Sequence, residues 1–342
     1  MAKFKLYQNR VLEQFKKVKE VTNIVSYSSK TNPLVTPILE ENTNSIFSIH
    51  LKNELKNVKD KSRVLFLAQG LTYELLDELT NQEIDFFAID NEPDLNILLN
   101  YIKENNKSIK LLLRMKLREH SIKTEKYFVF GLPTEFINRK ISELKNNPNI
   151  KKIGVHFHRK TQNMSEWNYQ YELESVLDKN TITALDYVNI GGGLPSVYAN
   201  TNVDVVNSVL KKIDEIKSWL NKQNIKMIIE PGRFIAAPSV ELETNIIRIY
   251  DNNIIVDASI YNSDMDAIIV PVKLKIKNEL KQGEGEPFVI KGITPCSMDL
   301  FRYRVYLNTP KKGDKIIFIN AGAYNFSSEF CDLDKIPTEV IK

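Results

Sequence analysis

Eight short apolar runs, each followed by a charged, helix-forming stretch, limit what this chain can become. They are "NIVSYS" (23–28), "SIFSIH" (45–50), "RVLFLA" (63–68), "DFFAID" (85–90), "IKLLLRM" (109–115), "KKIGVHF" (151–157), "DYVNI" (186–190) and "KMIIE" (226–230). Runs that are apolar almost throughout belong to strands covered on both faces, as in a parallel sheet. Segments such as "TYELLDELTNQ" and "VNSVLKKIDEIKSWLNKQ" lie between them and carry apolar residues at helical period. Eight strand–helix units over about 200 residues is the count of a (β/α)8 TIM barrel; a doubly wound open sheet is the runner-up.

The rhythm changes after residue 240. "VELETNIIRIYDNNIIVDAS", "AIIVPVKLKIKNEL", "EPFVIKGI" and "DKIIFINAG" follow one another without helix-period stretches between them. The reading is α/β: a barrel over 8–238, then a C-terminal all-β domain over 239–342 that the N-terminal strand 1–7 joins. "SSEFCDLDKIPTEVIK" is read as a closing strand with a short tail, and Cys331 within it as buried filler.

Charge and composition exclude several classes. The 47 basic and 43 acidic residues are interspersed and leave a net charge of +4, which argues against nucleic acid or an anionic membrane as partner. No apolar run is long enough to span a bilayer. "MAKFKLYQNR" lacks the apolar core of a secretion signal, and two cysteines make no disulfide framework, so a cytoplasmic location is expected. No metal site is read.

Polar residues gather where a barrel does its chemistry, at the C-terminal ends of its strands. Lys30 follows the first run, Arg114 ends the fifth, and His156 and His158 end the sixth. Gly191, Gly192 and Gly193 follow the seventh, and Glu230 closes the eighth in "EPGRF", with Arg233 just beyond. Taken singly, each has an ordinary explanation: a surface lysine, a structural histidine, a tight turn, a local ion pair. Taken together, they suggest pyridoxal 5'-phosphate. The lysine would form an imine, and the glycine turn and an arginine would hold the phosphate. The imidazole would stack on the ring, and the carboxylate would keep the pyridine nitrogen protonated.

At these residues the chain resembles the fold-type III pyridoxal-phosphate decarboxylases, the ornithine/diaminopimelate/arginine decarboxylase group related to alanine racemase. "SYSSKTNP" is similar to the imine-lysine segment and implies that role for Lys30. "FSIHLKNEL" resembles the segment that carries a glutamate, here Glu54. "GVHFHRKTQ" implies His158 for stacking, with Thr161 as a small hydroxyl near the phosphate. "VNIGGGLP" resembles the phosphate turn of Gly191, Gly192 and Gly193. "EPGRF" implies Glu230 for the pyridinium and Arg233 for the phosphate. "GITPCSMDLFRY" resembles the segment that brings a catalytic cysteine, here Cys296, across a dimer interface. "NAGAYNF" implies Tyr324 as a cofactor contact. The resemblance therefore implies a homodimer with shared active sites, the β domain completing the partner chain's site.

The chain departs from the family pattern in three places. Aligned without gaps, Pro295 falls at the cysteine position and Cys296 at that of the aspartate. Ser48 replaces an aspartate. The acid that meets a distal amine falls near Val270, leaving Glu54, Asp264, Asp266 and Asp299 as acidic candidates on the substrate side, alongside Arg114 and Tyr261. The expected activity is α-decarboxylation of a basic amino acid of the ornithine or lysine type, in polyamine biosynthesis, with Cys296 as proton donor. The alternatives are diaminopimelate or arginine decarboxylation, racemisation, or a catalytically silent regulator. Glu230 argues against racemisation, because the related racemases place an arginine at the pyridine.

Overall fold

The computed structural model describes residues 1–117, 129–159, 162–201 and 203–342. The chain divides into two compact units: Phe15–Leu194 with Asp204–Gly232, and Met1–Gln14 with Pro195–Val203 and Arg233–Lys342. The strands in chain order are β1 (Lys3–Tyr7), β2 (Ile24–Ser28), β3 (Ile46–Ile49), β4 (Val64–Ala68), β5 (Phe86–Ile89), β6 (Ile109–Arg114), β7 (Ile150–His156), β8 (Tyr187–Asn189) and β9 (Lys226–Ile229). They continue with β10 (Val240–Tyr250), β11 (Asn253–Val256), β12 (Lys275–Ile276), β13 (Glu286–Lys291), β14 (Leu300–Leu307), β15 (Lys315–Ile319) and β16 (Thr338–Ile341).

In the first unit, β2 to β9 close into an eight-stranded parallel barrel, as the eight apolar runs predict. Helices such as Tyr73–Asn81 and Glu92–Glu104 connect successive strands. Each begins at a residue whose side chain accepts a backbone N–H, Thr72 from Leu75 and Asn91 from Asp94, which satisfies donors that a helix start leaves unpaired. Inside the barrel, Leu65, Phe86, Ala88, Leu112 and Ile228 form a buried cluster, with Ile24, Ile46, Leu67 and Tyr187 packed against it. Neighbouring residues such as Phe87, Ile89, Leu111 and Leu113 are equally buried on the opposite face, which explains why the runs are continuously apolar.

The second unit is an eight-stranded sheet. β12, β15, β10, β11, β13 and β14 lie side by side, and β1 pairs antiparallel with β10 and parallel with β16. The opening strand β1 and the closing strand β16 therefore lie side by side, a pairing that the sequence reading did not foresee. The stretch "AIIVPVKLKIKNEL" departs from its expected strand. Asp266–Ile269 is a single helical turn, and only Lys275–Ile276 pairs as strand. Pro271 offers no N–H to a ladder between them. Cys331 is exposed in a short turn, so its expected burial is corrected.

Gly154 on β7 shows how tightly the barrel is filled. A Cβ there would lie 2.3 Å from the Tyr187 carbonyl oxygen and 2.8 Å from Leu112 Cδ2. Gly154→Ala is expected to destabilise the fold by about 1–3 kcal/mol through overpacking, read as a lower thermal midpoint.

Candidate active site

Side chains along a strand alternate, so positions two residues beyond an inward-facing residue also face inward. Applied to the apolar barrel cluster, the rule brings one polar layer to the C-terminal strand ends. Ile24, Ile46, Ala88, Leu112, Tyr187 and Ile228 are followed two residues on by Ser26, Ser48, Asp90, Arg114, Asn189 and Glu230, and Gly154 by His156. Contacts between neighbours confirm the layer. The Ser26 and Ser48 hydroxyls lie 2.7 Å apart, Arg114 Nη1 lies 3.1 Å from Asp90 Oδ1, and Asn189 Nδ2 donates to Glu230 Oε1 at 2.9 Å. Arg114 thus takes its counter-charge from Asp90 on the neighbouring strand, while Ser48 hydrogen-bonds Ser26.

Lys30 sits in the turn directly after β2. The Tyr27 hydroxyl donates to the Asn32 carbonyl at 3.0 Å across that turn, and Ser28 N–H donates to the Pro231 carbonyl at 3.2 Å. Lys30 is exposed, and the charges that act on it are those of Glu230, Glu54 and Arg114. Burial lowers its pKa; Glu230 and Glu54 oppose the shift, and Arg114 adds to it. Glu54 Oε1 accepts the His50 and Leu51 N–H groups, both at 3.0 Å. Burial pushes the Glu54 carboxyl up against these bonds. His50 is held down to about 4, first by burial and then by the nearby Lys30 charge, so its ring is neutral near pH 7.

His158 and the glycine turn form one arrangement. Gly192 N–H donates to His158 Nδ1 at 3.1 Å, which fixes the ring and puts its proton on Nε2. Burial at the barrel mouth brings the His158 pKa down to about 3, so the imidazole presents a neutral face. Gly191 has φ +66°, and a Cβ there would lie 2.4 Å from the Phe157 carbonyl oxygen, so both backbone conformation and space require glycine. Gly193 adopts φ +94°, and its carbonyl accepts Asn163 N–H at 2.8 Å. Glu230 is 5% exposed. Burial alone would push its carboxyl up; His156 and the Asn189 amide more than offset this and hold it well below the usual carboxylate range. Thr161 lies outside the described residues.

The remaining candidates belong to the sheet unit. Arg233 pairs bidentately with Asp266, one of the two contacts being 2.7 Å, and its Nη1 also donates to the Tyr198 hydroxyl at 2.8 Å. Burial works against the Arg233 charge, but Asp266 and Tyr198 outweigh it and raise its pKa further. The Tyr324 ring lies 5.5 Å from the Arg233 guanidinium. Burial, then the Asp266 charge, pushes the Asp264 carboxyl well up. Asp299 is a structural clasp: it accepts from Ile260 N, Thr294 N and Thr294 Oγ1 at 2.9, 3.0 and 2.7 Å. Cys296 Sγ lies 3.0 Å from the Tyr261 hydroxyl. That hydrogen bond lowers the thiol pKa and raises the phenol to about 12.

Sequence reasoning assigned no role to His50, Asp90, His156 or Asn189. Alternation along strands was the signal that could have found the last three. The barrel mouth fits pyridoxal phosphate in its donor set: an amine of lowered pKa, a buried carboxylate, a neutral imidazole and a glycine turn. His50 Nδ1, Glu54 Oε2 and His156 Nδ1 are also buried with no hydrogen-bond partner among the described residues, so a polar ligand would find partners there.

The low His50 pKa has a consequence for stability. Between its ordinary 6.5 and about 4, the unfolded chain binds a proton at His50 that the folded protein does not. Stability therefore falls as pH drops through that window. Urea midpoints from pH 7 to 4 should show His50→Gln flattening the slope by up to one proton, about 1.4 kcal/mol per pH unit.

The family model described as pyridoxal-dependent decarboxylase, pyridoxal binding domain, matches residues 8–237. A diaminopimelate decarboxylase of Campylobacter jejuni is 23% identical over 298 residues, covering 81% of this chain and 72% of that protein. A probable ornithine decarboxylase of Dictyostelium discoideum is 25% identical over 97% of this chain and 79% of its own length. Among solved structures, diaminopimelate decarboxylase from Helicobacter pylori superposes with a TM-score of 0.83 at 19% identity, covering all of this chain and 92% of that one. Lysine/ornithine decarboxylase from Vibrio vulnificus gives 0.79 at 21%, with 100% and 95% covered. A closed parallel barrel with a separate sheet, a lysine after its first strand and a matched pyridoxal-binding domain lead to one conclusion: the chain belongs to the pyridoxal-dependent decarboxylases, with pyridoxal phosphate as cofactor.

Proposed function

We propose that the protein removes the α-carboxylate of a basic amino acid of the ornithine or lysine type, giving the amine for polyamine synthesis. The observation that carries this reading is Lys30 just beyond β2, its pKa lowered by burial, with the carboxylate of Glu230 at the end of β9, the strand paired with β2. When bound, pyridoxal phosphate supplies the electron sink for the pair left behind by carbon dioxide. Lys30 Nζ is the point of covalent attachment, and burial favours the neutral amine that can act as nucleophile. Glu230 holds a proton on the ring nitrogen, which a neutral or cationic side chain would not do. His158, fixed by Gly192 N–H, covers one face of the ring. The turn of Gly191 to Gly193 meets the phosphate. Arg233 is also proposed for the phosphate, and its pairing with Asp266 means that its charge is already countered. Tyr324 is proposed as a cofactor contact, and Thr161 as a further phosphate hydroxyl.

Cys296 is the proposed proton donor to the α-carbon. The Tyr261 hydroxyl beside it lowers the thiol pKa, which makes the sulfur a stronger acid than an ordinary thiol. Among the acids considered for the substrate's distal amine, Asp266 and Asp299 already have partners, and Asp264 is pushed well up by burial and the Asp266 charge, whereas the His50 and Leu51 N–H groups and Lys30 counter the burial of Glu54. Glu54 keeps one oxygen without a partner among the described residues and is the acid we favour. A homodimer with shared sites is also proposed. Exposed Ile293, Met298 and Tyr303 around the Cys296 segment support an apolar surface suited to a second copy.

The test is the visible spectrum of the purified protein and of Lys30→Ala, with ornithine, lysine, arginine and diaminopimelate added in turn while carbon dioxide is measured. The expected result is a cofactor band that the variant loses or shifts, a spectral change with ornithine or lysine, and carbon dioxide release that Lys30→Ala cuts by about a thousandfold or more. Release from diaminopimelate or arginine alone would move the substrate assignment. A spectral change with loss of optical activity and no carbon dioxide would establish a racemase. A protein that stays colourless with added cofactor would leave a regulator.

A further inference from the structure

Glu230 is a buried carboxylate, and among the described residues no lysine or arginine forms an ion pair with it. A lone buried carboxylate is costly and tends to take up a proton. Two neighbours prevent this. Asn189 Nδ2 donates to Oε1 at 2.9 Å, and His156 Nε2 lies 3.4 Å from Oε2.

The orientation of each neighbour is determined by chemistry. Gly191 N–H donates to Asn189 Oδ1 at 2.9 Å, and a backbone N–H can only donate. The amide oxygen must face the glycine, so the amide nitrogen faces Glu230. An ionised carboxylate can only accept, so His156 Nε2 carries a proton toward Oε2; Nδ1 is buried without a partner among the described residues. The register builds the group: His156 on β7 pairs with Asn189 on β8, Asn189 pairs with Ile228 on β9, and Glu230 lies two residues further along the same face.

We propose that His156 and Asn189 are positioning residues that hold Glu230 as an oriented carboxylate for the cofactor's ring nitrogen, with Asn189 tying it to the glycine turn. The inference rests on the cofactor reading above and deepens it. Neither residue touches the reacting atoms; both act through Glu230.

The test compares two ligands, pyridoxal phosphate and its carbocyclic analogue with CH in place of the ring nitrogen. Each is titrated into wild-type protein, His156→Leu, His156→Gln, Asn189→Asp and Glu230→Gln, followed by absorption and by thermal melts with and without ligand. His156→Leu and Asn189→Asp should weaken pyridoxal phosphate binding by tenfold or more and leave the analogue within about twofold. His156→Gln, whose amide can still donate, should recover most of the loss. Asn189→Asp keeps the acceptor for Gly191 N–H, so it carries the test if His156→Leu fails to fold. Equal loss of both ligands would mean a structural role only, and no loss of either would mean no role; both overturn the proposal. If wild-type protein binds neither ligand, or Glu230→Gln binds both as wild-type does, the cofactor reading itself has failed and the inference falls with it.

Discussion

A carboxylate kept ionised inside a closed barrel is the constraint on which the polar end of that barrel depends. Glu230 occupies a place where burial favours the protonated acid. It stays a carboxylate because Asn189 and His156 donate to it from the two preceding strands. Those donors are present because parallel pairing aligns residues 156 and 189, and because alternation brings residue 230 to the same face. A register slip of one residue on any of these strands would turn its member of the group toward the helices.

The same alternation divides the barrel interior into an apolar plug and a polar layer above it. The plug of Leu65, Phe86, Leu112, Tyr187 and Ile228 gives the strands a packed foundation. Gly154 keeps the interior from overfilling, since its missing side chain leaves room for Tyr187 and Leu112. Two residues further on, the inward positions carry hydroxyls, carboxylates, an arginine, an imidazole and an amide, nearly all answered by one another. Lys30, His50 and His158 lie beyond that layer, where solvent can reach them and burial still disfavours their charged forms.

The sheet unit follows a different logic. Its buried charges are paired within the unit: Arg233 with Asp266, and Asp299 with the backbone around Ile260 and Thr294. A guanidinium paired on both nitrogens resists reorientation, because moving it would strand Asp266 in a buried site. The Tyr261–Cys296 hydrogen bond is the more adaptable element, since a phenol and a thiol exchange donor and acceptor roles at small cost.

By itself, the sequence determined the barrel, the all-β segment and the positions of Lys30, the glycine turn and Glu230. Strand periodicity and motif spacing are local properties of the chain, so they can be read without coordinates. "SYSSKTNP", "NIGGGLP" and "EPGR" each place their chemistry at a strand end regardless of what lies across the barrel. Only the tertiary structure decided which side chains answer them. Asp90 as the counter-charge of Arg114, Asn189 and His156 as the donors to Glu230, and Asp266 as the partner of Arg233 depend on contacts between residues 24 to 74 positions apart. A one-residue spacing error reverses the facing of a side chain, and the charge state of a buried group is set by its neighbours in space. Both depend on strand register and closure, which only the folded chain fixes.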